Sequence, residues 1–158
     1  MILSKSCIYG IQAAIYVAAQ EEAGYVPINK IADRLNISFH FLTKVLQQFT
    51  HAGLLTSYRG PKGGVSLAKD ATQITLYDMV EAIDGTFVFT ECMLGLPGCG
   101  SEEPCPAHEN WVEVRSRFLQ IAKQLTLATL ASRASELNVR LAKVPALVDI
   151  LSNPSARG

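Results

Sequence analysis

A change of hydrophobic period between residues 38 and 68 constrains the fold of this chain more than any other feature. Apolar residues recur at i, i+3, i+4 and i+7 and predict a helix that Ser38 caps and that ends near Ala52. These apolar residues are Leu42, Val45, Leu46 and Phe49. Two short predicted strands, 54–58 and 65–68, then flank the Gly-rich segment RGPKGG, which is typical of a β-hairpin. We therefore predict a mainly α fold with one small β-hairpin.

The segments before this point predict two further helices. Residues 4–20 carry apolar side chains at helical spacing, and a short second helix follows Pro27 with Asn29 as its expected N-cap. Asn36 and Ile37 then form a tight connection to the helix capped by Ser38. Two short helices joined by a tight turn fit a helix-turn-helix or an ordinary three-helix core equally well. The hairpin that follows directly favours a winged helix-turn-helix.

Polar side chains on the predicted third helix and hairpin are candidate DNA contacts. Arg59 and Lys62 lie at the hairpin tip, from which they can reach phosphates or a narrow minor groove. A nucleotide site in the glycine-rich tip is disfavoured, because the segment matches neither common phosphate-loop pattern and no helix begins directly after it. The polar face of the helix comprises His40, Thr43, Lys44, Gln47 and His51.

Charge is segregated along the chain although the formal net charge is zero. Residues 28–69 contain six Lys and Arg residues against one Asp, a net charge of +5. Residues 81–113 contain seven carboxylates and neither Lys nor Arg, a net charge of −7. The zero total argues against a general polyanion binder, whereas a basic half is compatible with DNA binding. Two ordinary solvated faces remain an alternative at this point.

A seam of apolar residues in the long helix predicted after His108 favours a homodimer. The seam residues are Trp111, Val114, Phe118, Ile121 and Leu125. They alternate spacings of three and four over two heptads. Packing of this seam against the first helix of the same chain is the alternative.

Four regions are expected from these patterns. They are a winged helix-turn-helix domain at 1–85, a cysteine-rich loop at 86–108, a dimerisation helix region at 109–140 and a C-terminal tail at 141–158. Within the first region, Thr75 and Asp78 are spaced as a capping box. At the start of the second, the apolar run 87–89 is expected to pack under the loop that follows it. No long apolar run or signal peptide is visible, so we expect a cytoplasmic protein without membrane contact.

The segment 92–108 contains three of the four cysteines, Cys92, Cys99 and Cys105, and ends at His108. Its prolines and glycines keep it out of helix and strand, so a shaped loop is expected. Thiolates suit an iron–sulfur cluster and zinc alike, although structural zinc sites usually show closer cysteine pairs. Thiols without any metal also remain open. Cys7 is expected to be a buried helix residue rather than a ligand.

These motifs in this order resemble a family of bacterial iron–sulfur winged-helix transcriptional regulators, the IscR/NsrR-like proteins. The resemblance covers roughly residues 2 to 130. It depends most on YGIQA at Tyr9–Ala13, on GLLTSYRGPKGGV at Gly53–Val65 and on the cysteine loop. It implies a dimeric DNA-binding regulator, expected to be a repressor, that binds a pseudo-palindromic operator in double-stranded DNA. It also implies a [2Fe-2S] or [4Fe-4S] cluster that modulates operator binding in response to iron, redox or nitric-oxide status.

The resemblance also assigns roles to individual residues. It implies Cys92, Cys99 and Cys105 as cluster ligands with His108 as the fourth. Ser38, His40, Thr43 and Lys44 would lie on the recognition helix, and Arg59 would be the wing arginine. The first cysteine gap has six residues where the IscR-type pattern has five, and Ile8 replaces the partner-chain carboxylate of the nitric-oxide sensor. Regulators with a thiol–disulfide switch or structural zinc remain alternatives, and a small redox carrier fits less well because no substrate motif is visible.

Overall fold

The computed structural model describes residues 2–20, 24–96, 102 and 104–136. Seven α-helices and two strands are found there: α1 Lys5–Ala18, α2 Ile28–Leu35, α3 Phe39–His51, β1 Leu55–Tyr58, β2 Gly64–Leu67, α4 Leu76–Asp84, α5 Phe87–Thr90, α6 His108–Gln124 and α7 Leu127–Glu136, with a 3-10 turn at Ala71–Gln73 before α4. The two strands pair as one antiparallel sheet. The predicted fold class, mainly α with a small β wing, is therefore confirmed.

The helix-turn-helix forms because short-range signals and burial agree. Ser38 accepts a hydrogen bond from the backbone N–H of Phe41 at 3.4 Å and caps α3 as predicted. Asn36 ends α2 in the left-handed conformation, with φ of 52°, which asparagine tolerates better than most residues. The predicted cap at Asn29 is wrong. Pro27 is the N-cap of α2, with φ at the −60° that its ring imposes, and Asn29 is already the second residue of the helix.

The main hydrophobic core lies between α1, α3, α4, the wing and α7. The apolar stripe of α3 is buried there as predicted, with Phe49 and Leu42 fully inaccessible to solvent. Gly10 of α1 is part of this packing, since a Cβ at that position would lie 3.0 Å from Cζ of Phe49. Leu127 of α7 is also fully buried in this core, where α7 packs on α1 and on the 3-10 turn before α4.

The wing is attached to the segment that precedes α2. Val26 and Val65 exchange two backbone hydrogen bonds of 2.8 and 2.9 Å, which add a bridge to the β1–β2 hairpin. Gly64 is required at this junction because any Cβ there would overlap the backbone of Val26 and Pro27. The orientation of the wing relative to α2 and α3 is therefore set by backbone packing.

A second, smaller core, which we call the second core, joins α1, α4, α5 and α6. It consists of Cys7, Val80, Phe89 and Ala122, each from a different one of these helices. The apolar run at 87–89 is expected only as a segment under the loop, but it forms the helical turn α5. Its first residue, Phe87, is 67% exposed, whereas the ring of Phe89 is buried against Phe118 of α6.

The other predicted cap, at the start of α4, agrees with the structure. Thr75 and Asp78 form the reciprocal capping box at the start of α4. Thr126 accepts a hydrogen bond from the backbone N–H of Thr129 at 3.2 Å at the start of α7, which extends to Glu136. Within the described residues, no helix has the length and apolar character needed to cross a membrane.

Candidate functional site

An open groove of about 1110 Å³ separates α3 from the wing, with the first turn of α2 at one side. Four of the candidate DNA-contacting residues line it together: Thr43, Gln47 and His51 from α3 and Arg59 from the wing. Thr43 and Gln47 are one helical turn apart and share a face of α3. The hairpin register places Arg59 directly after Tyr58, the last residue of β1, at the edge of the groove.

The other predicted DNA-contacting residues are exposed but do not line this groove. Ser38 and His40 lie at the N-terminal end of α3, Lys44 lies on its exposed surface, and Lys62 lies at the wing tip. Because the hydroxyl of Thr43 donates to the carbonyl of Phe39 at 2.8 Å, its oxygen remains available chiefly as an acceptor. The structure thus brings Thr43, Gln47, His51 and Arg59 into one groove and places the other candidates around it.

Sequence reasoning missed several residues of the groove. Lys30 in the first turn of α2, Phe39 of α3 and Tyr58 of β1 all line it. Tyr58 is 57% exposed and its ring centroid lies 5.5 Å from that of Tyr25, so an aromatic pair stands at the base of the wing. Tyr58 lies three residues after buried Leu55 and therefore on the opposite face of the strand, and this two-residue period is the signal that could have identified it.

Two of the predicted ligands, Cys92 and Cys105, lie together. Their sulfur atoms are 3.6 Å apart, and neither is in a disulfide. Two thiolates on one tetrahedral metal with metal–sulfur bonds of about 2.3 Å would lie about 3.8 Å apart. Cys99 lies outside the described residues. Across the described ranges, no group of three His, Cys, Asp or Glu side chains is close enough to hold a metal ion. Of the predicted ligands, the structure therefore brings Cys92 and Cys105 together as a pair, which we call the thiol pair.

Helix α6 anchors the chain on both sides of this thiol pair. The indole Nε1 of Trp111 donates to the carbonyl of Glu91 at 2.8 Å, next to Cys92. The guanidinium of Arg115 donates to the carbonyl of Thr90 at 2.7 Å and to that of Glu91 at 3.3 Å. On the other side, the backbone N–H of His108, the first residue of α6, donates to the carbonyl of Cys105 at 2.9 Å.

Cys7 is separated from this chemistry by burial. Its side chain has no solvent exposure and lies in the second core. Burial, reinforced by the negative charge of Asp84 and a hydrogen bond to it, raises the pKa of the Cys7 thiol to about 12. The thiolate is the form that binds metals and reacts with oxidants, so Cys7 is a neutral packing residue at neutral pH. The expectation that it is a buried helix cysteine is confirmed.

The five predicted dimer-interface residues have different environments in the chain. Trp111 donates a hydrogen bond to the carbonyl of Glu91, and Phe118 stacks on Phe89 with ring centroids 5.3 Å apart. Both side chains therefore already have partners within the chain. Val114 and Ile121 are 55% and 44% exposed. They are seven residues apart and lie on one face of α6. Leu125 follows the last residue of α6 and is partly buried.

Comparisons with known proteins agree with this architecture. The family described as "Rrf2: Iron-dependent Transcriptional regulator" matches residues 3–133. The HTH-type transcriptional regulator IscR of Escherichia coli O1:K1 / APEC is 32% identical over 139 residues, which cover 88% of this chain and 85% of that protein. IscR is therefore a relative along most of its length.

Solved structures show the same fold. CymR, the global cysteine regulator of Bacillus subtilis, superposes with a TM-score of 0.69 at 26% identity, covering 82% of this chain and 95% of that one. The oxidized form of Staphylococcus aureus CymR gives a TM-score of 0.67 at 27% identity, over 83% of this chain and 96% of the other. IscR of T. potens has the same fold, with a TM-score of 0.69 at 24% identity over 87% and 90% of the two chains. On the strength of the family match and the E. coli relative, this chain belongs to the Rrf2 family of transcriptional regulators.

Proposed function

We propose that this protein is a cytoplasmic, homodimeric repressor whose binding to operator DNA is modulated by an iron–sulfur cluster. Cys92, Cys99, Cys105 and His108 would hold the cluster. The observation that carries the proposal is the thiol pair: Cys92 and Cys105 are 13 residues apart in the chain, yet their sulfur atoms are separated by only 3.6 Å. The pair lies between the winged-helix half of the chain and α6.

The register of α5 against α6 supports His108 as the fourth ligand. Thr90 is bound by Arg115 and Glu91 by Trp111, so the chain runs antiparallel to α6 as it approaches Cys92. His108, Trp111 and Arg115 follow an i, i+3, i+7 pattern and share one face of α6. If the same register continues, Cys92 would come level with the first turn of α6, which begins at His108.

The donor set fits an iron–sulfur centre. Thiolate sulfur and imidazole nitrogen are both ligands of iron in such clusters, and a cluster supplies one-electron redox chemistry and reactivity toward oxidants when bound. A sulfur separation of 3.6 Å suits two ligands on the same iron atom. Each iron of a four-iron cluster takes a single protein ligand, so the separation favours the [2Fe-2S] form.

The packing around the thiol pair supports a coupling to DNA binding. Phe89, three residues before Cys92, belongs to the second core together with Cys7 of α1 and Val80 of α4. Helices α1 and α4 both pack on α3, which carries the polar face toward the groove. A change in the position of Cys92 would therefore reach the recognition helix through packed side chains. A coupling of about 1–3 kcal/mol would change operator affinity by roughly 5- to 150-fold.

Anaerobic purification followed by spectroscopy tests the proposal directly. We expect the protein to absorb broadly in the visible region, and Mössbauer spectra to distinguish two-iron from four-iron forms. His108→Ala should keep the thiol pair but change the spectrum or release the cluster more readily, because one ligand is lost. A colourless protein that contains neither iron nor sulfide after anaerobic purification would contradict the cluster proposal.

A thiol–disulfide switch is the second candidate, and the same sulfur distance favours it. A disulfide bond is about 2.05 Å long, so only a modest movement would join Cys92 to Cys105. Cys105 is partly exposed and therefore accessible to an oxidant. Elemental analysis and titration of free thiols distinguish this candidate and structural zinc from a cluster in the same preparation.

Arg59 should contribute more to operator binding than an equally charged residue elsewhere. We expect Arg59→Ala to weaken binding and to lower the slope of log K against log salt by about 1 for each wing, because a phosphate contact and its counterion release are lost. Fluorescence anisotropy over a salt series would measure both quantities.

Arg117→Ala is the matched control for Arg59→Ala. Arg117 is exposed on α6 and does not line the groove, so removing it changes the net charge equally without touching the proposed DNA-binding surface. Equal effects of the two substitutions on affinity and on the salt slope would mean that the groove does not bind DNA.

A further inference from the structure

The two cysteines of the thiol pair are anchored to the same two turns of one helix. Cys105 is attached by the hydrogen bond between its carbonyl and the N–H of His108. Cys92 follows directly after Glu91, whose carbonyl accepts hydrogen bonds from Trp111 at 2.8 Å and from Arg115 at 3.3 Å. The first two turns of α6 therefore serve as a common scaffold for both thiols.

The hydrogen bonds from α6 to the chain before Cys92 satisfy carbonyl groups at the C-terminal end of the short helix α5. Helix α5 has only four residues, and the last carbonyls of any helix lack partners within the helix. Arg115 and Trp111 supply donors to the carbonyls of Thr90 and Glu91, and those from the guanidinium are charge-assisted. Cys92, the next residue, is 8% exposed and its position follows from where α5 ends.

We propose that Trp111 and Arg115 are positioning residues that fix Cys92 beside Cys105, so that α6 sets the geometry of the sensing site. The role of these residues is to hold the backbone before Cys92, and neither is a ligand. The proposal rests on the proposed function in one respect, since it takes the thiol pair to be the sensing element. It also means that a displacement of the backbone before Cys92 would act directly on α6, through the three hydrogen bonds that Trp111 and Arg115 donate.

The redox equilibrium of the thiol pair with glutathione tests this role without a cluster. In a Cys7→Ala, Cys99→Ser background, the full chain contains only the Cys92 and Cys105 thiols. Their oxidation transfers two electrons and two protons to glutathione disulfide, which yields one protein disulfide and two molecules of glutathione. The equilibrium constant reports how closely the protein holds the two sulfurs.

Conservative variants in this background separate positioning from folding. Arg115→Lys keeps the charge but loses the guanidinium nitrogen that donates to both the Thr90 and Glu91 carbonyls, and Trp111→Phe keeps an aromatic ring but has no N–H. We expect each to lower the equilibrium constant for disulfide formation by about threefold to tenfold, as one or two hydrogen bonds are lost. The matched control is Arg117→Lys, which changes an exposed arginine on the same helix without altering these contacts.

Circular dichroism would verify that each variant is folded. The proposal is overturned if folded Arg115→Lys and Trp111→Phe have the same equilibrium constant for disulfide formation as Arg117→Lys. If either variant fails to fold, the other one decides the question. A colourless native protein with a lowered equilibrium constant in these variants would refute the cluster while supporting the positioning role. The two proposals are therefore tested separately.

Discussion

Replacing Cys92, Cys99 and Cys105 together by serine should abolish the response of operator binding to iron, oxidants and nitric oxide. In the unmodified protein we expect these signals to change operator affinity by roughly 5- to 150-fold, the range of a coupling of about 1–3 kcal/mol. Serine cannot supply a thiolate, so neither a cluster nor a disulfide can form. Anaerobic binding assays on a labelled operator, with and without each signal, would measure the effect.

The control for this experiment is Cys7→Ala. Burial raises the pKa of Cys7 to about 12, so its thiol remains protonated and unreactive at neutral pH. The Cys7→Ala protein should therefore keep the full response. A triple serine variant that still responded would exclude both the cluster and the disulfide as the sensing chemistry, whereas a Cys7→Ala variant that lost the response would implicate the second core.

Replacing Phe49 by alanine should lower the free energy of unfolding by about 3–5 kcal/mol. Phe49 has no solvent exposure and its ring reaches the backbone of α1 at Gly10. Because backbone atoms form one wall of the resulting cavity, the surroundings can collapse only partly into it. Urea unfolding followed by circular dichroism would measure the change, which is a large fraction of the stability of an ordinary domain.

Phe39→Ala is a matched control on the same helix. Phe39 is 47% exposed, so its removal should change the free energy of unfolding by less than about 0.5 kcal/mol. It lines the groove, however, so it should affect operator affinity more than stability. Similar losses of stability in the two variants would show that the core is not centred on the buried face of α3.

The local elements of the fold were predictable because their signals lie within a few residues. The apolar stripe of α3, the cap at Ser38, the capping box of Thr75 and Asp78, and the hairpin on either side of RGPKGG all act over one or two turns of chain. The prediction at Asn29 failed for a local reason as well. Pro27 marks the start of α2, so Asn29 falls inside the helix although asparagine is often found at the N-cap.

The neighbours of the candidate site were less predictable. Tyr58 and Lys30 line the groove only because the Val26–Val65 bridge positions the wing beside α2. Trp111 and Phe118 fit a dimer seam by spacing alone, yet within the chain they hold Glu91 and Phe89. Periodicity shows that a face is apolar, but it does not show which surface covers that face.

The sequence by itself determined the winged helix-turn-helix class, the family resemblance and the set of residues able to hold a metal, because period, caps and ligand types are properties of short segments. Only the tertiary structure decided that Cys92 lies against Cys105, that Cys7 packs with Val80, Phe89 and Ala122, and that α6 binds the chain on both sides of the thiol pair. Each of these depends on contacts between segments distant in the chain, since burial and hydrogen bonds across α5 and α6 arise only when the helices pack together.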